Sequence, residues 1–172
     1  MSLMRNVSVL TMLAVLLACQ PALAGPPAWG LRFDGIGPLK VGMDFNEAGR
    51  ALGQTLVHTE PALLATRGCD MIGLPGHKGV WLMFIDDVLK RIDVEGGART
   101  VEGIGTGDPV ARVFTAYAAV EREPNAYDSS ERYLTVRSPD RASALRFETD
   151  KGKVGHFYAG DPQAIRYIEG CL

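Results

Sequence analysis

The alternation of apolar and polar positions predicts two hairpins in this chain. Val80 to Ile85, a turn at Asp86-Asp87 and Leu89 to Val94 make the first. Ala144 to Glu148, a turn around Lys151-Gly152 and Val154 to Tyr158 make the second. An earlier strand reads at Cys69 to Ile72 in one case and at Tyr133 to Val136 in the other. Before each of these meanders the period changes from two to about 3.6. After Gly42, Asp44 and Glu47 read as a helix N-cap and its reciprocal partner, Phe45, Ala48 and Leu52 share a face, and Gly53 stops the helix. After Gly107, Asp108 reads as the cap, Pro109 as the first helical residue, and Val110, Val113, Phe114 and Tyr117 as the apolar stripe.

These two series are similar enough to form a repeat. Leu39 to Phe45 lines up with Ile104 to Val110 at a spacing of 65 residues. Glu60-Pro61 then matches Glu123-Pro124, Leu82 and Phe84 match Leu145 and Phe147, and Asp87 matches Asp150 at a spacing of 63. The change in spacing implies a two-residue deletion after the second helix. The expected fold is therefore α+β, with two divergent tandem units at 31–97 and 98–172, each a short helical segment followed by an antiparallel β-meander. One short helix cannot cover the apolar face of its own meander, so the two units are expected to share a core.

A glycine turn, an acidic residue and a short helix ending in Leu-Gly (Gly42-Met43-Asp44 to Leu52-Gly53), followed by a meander, resemble the unit of the SmpA/OmlA-type outer-membrane assembly lipoproteins. Two such units in tandem resemble the beta-lactamase inhibitor protein fold. The second unit departs from the pattern, with Ala118-Ala119 in place of Leu-Gly. The resemblance implies a non-enzymatic binder that uses the open sheet face or its loops, and it does not transfer a partner.

Composition narrows the setting. The chain has 172 residues, 47% hydrophobic and 22% charged, which is ordinary for a packed globular protein. A net charge of −2 provides no clustered cationic excess for phosphate, so nucleic acid is excluded as an expected partner. Arg5 followed by the apolar run Val7 to Ala18 has the form of a secretion signal and is too short to span a bilayer. Ala22-Leu23-Ala24 suits cleavage of a signal peptide at 1–24. Alternatively, Leu16-Leu17-Ala18-Cys19 resembles a lipobox, with a lipoprotein signal at 1–18 and Cys19 lipidated. The expected location is periplasmic or secreted, or lipid-anchored in the outer membrane on the alternative, and membrane contact is expected only if Cys19 carries lipid.

Either processing route leaves Cys69 and Cys171 as an isolated pair in an oxidising compartment. A disulfide between them is expected. In the chain-entropy model, closing a loop of ~100 residues contributes about 4–5 kcal/mol.

Candidate chemistry is sparse. Gly35-Ile36-Gly37 and Gly103-Ile104-Gly105-Thr106-Gly107 lack the lysine and third glycine of phosphate loops and read as turns. His58, His77 and His156 fall at no metal-ligand spacing. Asp86-Asp87 suits a hairpin tip, and no serine lies in a nucleophile elbow. No cofactor, metal or catalytic residue is expected. A small envelope hydrolase is the less favoured alternative, and it would require Asp86, Asp87 and His77 to converge in a pocket.

One feature favours binding. Opposite the core-facing Val80, Leu82 and Phe84, the first hairpin carries Trp81, Met83 and Ile85, where the second has Ala144, Arg146 and Glu148, as a solvated face should. Trp81, Met83 and Ile85 are thus the expected binding residues for another protein of the cell envelope, unless the other unit or the segment around Trp29 buries them. The expected function is a secreted or periplasmic protein-binding module, of inhibitor or immunity type, with an envelope assembly lipoprotein as the alternative.

The two processing routes separate experimentally. With cleavage after Ala24, Cys19→Ala leaves export and solubility unchanged. A wild type that partitions into detergent and loses that behaviour on Cys19→Ala is instead a lipoprotein.

Overall fold

The computed structural model describes residues 28–171. The predicted signal at 1–24, its alternative at 1–18 and Cys19 lie outside the described residues. In chain order the elements are β1 (Leu31–Arg32), β2 (Gly35–Ile36), β3 (Leu39–Lys40), α1 (Phe45–Leu52), β4 (Cys69–Gly73), β5 (Val80–Ile85) and β6 (Val88–Val94). They continue with α2 (Ala111–Ala116), β7 (Glu121–Pro124), β8 (Arg132–Arg137), β9 (Ala144–Asp150) and β10 (Lys153–Gly160). Short 3₁₀ turns lie at Pro61–Leu63 and Ala164–Arg166. The fold is α+β, and no helix among the described residues is long and apolar enough to cross a membrane.

Seven strands form one antiparallel sheet in the order β4-β5-β6-β10-β9-β8-β7, and β1, β2 and β3 form a small separate one. Two three-stranded meanders, β4-β5-β6 and β8-β9-β10, meet through their last strands, and β7 is added at one edge. Both predicted turns are two-residue loops. Asp86 and Asp87 take φ of 48° and 62°, and Lys151 and Gly152 take 50° and 77°, the left-handed backbone that matches hairpin twist.

Each helix entry is tied to its hairpin in the same way. The Gly42 amide donates to Leu89 O and the Gly107 amide to Val154 O. Leu89 N–H donates to Met43 O as Val154 N–H does to Asp108 O. Phe45 N–H donates to Asp87 O as Val110 N–H does to Gly152 O. In every pair the second residue lies 65 positions after the first, and so do the β-bulge residues Lys90 and Gly155 that pairing leaves over. These backbone features recur at a spacing of 65, where 63 was expected for the hairpins. A slip of two residues preserves which face each side chain occupies, so hydrophobic alternation cannot detect it. Glu60-Pro61 and Glu123-Pro124 are not equivalent either, because Pro61 opens a 3₁₀ turn and Pro124 ends β7.

The helix α1 forms as expected. Asp44 accepts the Glu47 amide at 2.7 Å, the Glu47 carboxylate accepts the Asp44 amide at 2.9 Å, and Gly53 ends the helix at φ 68°. The second helix departs from expectation. It starts at Ala111, with Val110 at the cap position and no side-chain cap. Asp108 turns away because its Oδ2 accepts from Gly105 N–H at 3.0 Å, Arg99 at 2.8 Å and Arg112 at 2.7 Å. Val113 and Tyr117 still face inward. The core lies between the sheet and these helices, with Leu82, Phe84, Ile92, Leu145, Phe147 and Phe157 packed against Leu31, Ile36, Leu39, Phe45 and Ala48.

Burial pushes the Asp108 carboxyl up, but the Arg99 hydrogen bond, the Gly105 amide and the charges of Arg99 and Arg112 outweigh it and hold its pKa below the ordinary 3.8. Its contribution to stability is complete above 3.8 and is lost as pH falls through the lower folded value. Asp108→Asn is expected to lower the urea midpoint at neutral pH and to flatten the fall of that midpoint on acidification.

Candidate functional site

The sheet face opposite the core carries the residues of interest, and strand pairing sets them in rows. One row crosses all seven strands as Gly73, Trp81, Asp93, Tyr158, Arg146, Thr135 and Glu121. The next row reads Met71, Met83, Arg91, Gly160, Ala144 and Arg137. The stripe expected to be exposed is thus divided. Trp81 is 38% exposed, with its ring beside its cross-strand partner Gly73. Ile85 is half-buried near the hairpin tip.

Met83 is fully buried, which corrects the expectation of a continuous apolar stripe. Burial of the stripe from within 98–172 was the alternative the sequence left open, whereas Trp29 packs against the core. The chain leaves β10 at Gly160 and folds back across this face. Gly170 packs against both Met71 and Arg91, the cross-strand neighbours on either side of Met83. A Cβ at Gly170 would lie 2.6 Å from Met71 Sδ. The Cys69–Cys171 disulfide, with Cα atoms 5.3 Å apart, fastens this segment to the edge strand β4, as the cysteine count led us to expect. Ile165 forms a small second core with Ala144 and Tyr158 under the same segment.

The second hairpin's outer residues are not a solvated face either. Ala144 and Arg146 are buried, and only Glu148 is partly exposed. At the spacing of 65 Trp81 corresponds to Arg146. Arg146 stacks over Tyr133 at 4.2 Å and pairs with Glu123 at 2.8 Å, and Arg166 from the returning segment reaches the same carboxylate at 3.5 Å.

Beneath Trp81 lies a charge pair that the pattern missed. Arg91 and Asp93 form a two-pronged bridge, Nε to Oδ2 and Nη2 to Oδ1, each at 2.8 Å. Both side chains are 2% exposed. Arg91 Nη1 also donates to Ala164 O at 3.1 Å and to Tyr167 O at 2.5 Å, so the guanidinium holds the returning segment. His156 Nε2 lies 3.4 Å from Asp93 Oδ1. Burial first, then the nearby Glu148 charge, pushes the Tyr158 hydroxyl far above the ordinary tyrosine range, so it stays protonated and donates to Glu148 at 3.0 Å. The visible signal was a pair of opposite charges, Arg91 and Asp93, on either side of Ile92 in a strand that also carries Lys90.

A groove of about 580 Å³ opens between the hairpin tip and the returning segment. Ile85, Tyr127, Tyr167, Ile168 and the disulfide line it. Glu169 accepts a hydrogen bond from the Tyr127 hydroxyl, which pushes that phenol up to about 12.

The residues required for a hydrolase do not converge. Asp86 and Asp87 sit at the hairpin tip, whereas the His77 ring lies tilted against Trp29, centroids 3.9 Å apart, beyond the opposite end of β5. His58 is the imidazole near Asp87, at 3.8 Å, and sequence spacing offers no hint of this. Its Nδ1 lies 3.2 Å from Asp70, whose Oδ2 also accepts Thr59 N–H, and its ring stacks on Phe45. These contacts pin the chain between α1 and β4 to the sheet edge, and among the described residues no hydroxyl or thiol hydrogen-bonds to the imidazole. The described residues hold no cluster of three or more His, Cys, Asp or Glu suited to a metal ion.

Comparisons with protein-family models, curated proteins and solved structures find no match for the chain.

Removing one member of the Arg91–Asp93 pair leaves a buried charge without its partner. Asp93→Asn is expected to destabilise the fold by about 3–5 kcal/mol in urea denaturation. The double change Arg91→Met with Asp93→Leu should recover most of that loss.

Proposed function

We propose that this chain is a non-enzymatic protein-binding module of the cell envelope, secreted or periplasmic, of inhibitor or immunity type. The observation that carries the reading is Trp81, a large apolar ring partly exposed on a sheet face whose other large side chains are locked in place. Indole is the side chain most enriched among interface anchors, and a ring held against Gly73 loses little freedom on binding. The buried Arg91–Asp93 pair and the Tyr158–Glu148 bond give it a stiff base.

In this reading the two meanders are divergent copies of one unit, at 31–97 and 98–172. The matched amide bonds of Gly42 and Gly107, the left-handed turns and the bulges at Lys90 and Gly155 support it, all at one spacing of 65. The resemblance to the beta-lactamase inhibitor protein fold points to the same functional class. A second reading, a lipid-anchored assembly factor, is favoured by the lipobox-like Leu16 to Cys19. It shares the binding face and differs in the anchor.

The test is capture from periplasmic extract by residues 25–172, wild type against Trp81→Ala. The change should cost little folding stability, because the ring is already partly exposed, and should weaken the captured complex by ~2 kcal/mol or more. Equal affinity of the two proteins for the captured partner, or large destabilisation without selective loss of binding, would overturn the reading.

A further inference from the structure

The returning segment lies across the middle of the face that carries Trp81, and its fastening is uneven. Up to Tyr167 it is held by Arg91 on two carbonyl oxygens, by Ile165 packed against Ala144 and Tyr158, and by the Asp161 amide on Lys90 O. Among the described contacts beyond Tyr167, only the exposed Tyr127–Glu169 hydrogen bond, the packing of Gly170 and the Cys69–Cys171 disulfide hold it. The backbone hydrogen bonds of the described residues include none from residues 168–171 to the sheet. Gly170 in this last turn lies against Met71 and Arg91, the two cross-strand neighbours of the buried Met83.

We propose that residues 168–171 are a redox-released cover for the binding stripe. Closing the disulfide hides Met83, and opening it joins Trp81, Met83 and Ile85, with Met71 beside them, into one apolar surface. The proposal rests on the reading of this face as a protein-binding site and adds its regulation. The reductant is a dithiol, either a protein of the Cys-x-x-Cys class or a small dithiol. One of its thiolates attacks Sγ of Cys171, the half-buried partner, since Cys69 is only 6% exposed. The Cys69–Cys171 bond breaks as the mixed disulfide forms, and Cys69 leaves as a thiolate that takes up a proton. The second thiol of the reductant, on losing its proton, then displaces Cys171 as a thiolate, which is protonated in turn. The reductant departs as a disulfide, so two electrons and two protons have passed to the protein.

Methionine oxidation reads the cover directly and needs no binding partner. Wild type with the disulfide intact is compared with a Cys69→Ser, Cys171→Ser double variant. A third sample is wild type reduced with dithiothreitol under native conditions and alkylated with iodoacetamide. Each is exposed to hydrogen peroxide, and sulfoxide at Met43, Met71 and Met83 is followed by peptide mass spectrometry. Met83 should oxidise about tenfold faster or more once the bond is open, as expected for a local opening, while the rate at Met43 and the far-UV spectrum stay unchanged. Met83 keeping its protection in the folded, reduced protein would overturn the proposal. Melting of the sheet on reduction would also overturn it, because a cover must open while the sheet remains folded. The same measurement on Trp81→Ala separates the two ideas. Gating that survives while Trp81→Ala captures the partner as well as wild type does leaves the cover intact and removes the binding reading.

Discussion

The antiparallel pairing of β6 with β10 is the constraint on which the rest of this molecule depends. It joins two meanders that would each leave an apolar face uncovered, setting Val94 beside Phe157 and Ile92 beside Ala159 in one core. On the opposite face the same register sets Asp93 beside Tyr158 and Arg91 beside Gly160. Gly160 is obligatory there, since a Cβ would lie 2.1 Å from Lys90 O at a φ of 153°. That glycine both admits the junction and turns the chain back toward β4. Core, polar face and returning segment therefore follow from four residue pairs.

The polar face illustrates how charge is made tolerable inside a sheet protein. Arg91 spends its donors on one carboxylate and two backbone oxygens, so neither it nor Asp93 is left unpaired. Such a pair adds little net stability over apolar residues of the same shape, and its value lies in direction. An apolar side chain in place of Arg91 could bury surface under the returning segment but could not position Ala164 O and Tyr167 O. The Trp81 ring stands on the part of the face that this arrangement leaves open.

Much of the fold was legible in the sequence. The helix α1 was readable because Asp44, Glu47 and Gly53 act locally, through bonds that span three or four residues. The hairpin tips were readable for the same reason. Register between the two units was not, because alternation has a period of two and tolerates a slip of two, whereas the backbone bonds of Gly42 and Gly107 fix it. Asp108 was misread as a cap because Arg99, nine residues before it, competes for its carboxylate. Of the candidate site, Trp81 was legible as an apolar residue on the polar side of a strand. The burial of Met83 stood only as an open alternative, since the segment that packs on its neighbours Met71 and Arg91 comes more than eighty residues later in the chain.

The outer edge of β7 has a consequence for how this sheet behaves in a crowded compartment. A seven-stranded sheet presents an unpaired rim at each end, which invites strand addition by other chains. At β7 that rim carries Glu121, Arg122 and Glu123 and ends in Pro124, which lacks an amide proton. An incoming strand would have to bury alternating charges and forgo a ladder bond. Growth of the sheet into a fibril is discouraged at that end by four residues of sequence, independently of anything the opposite face binds.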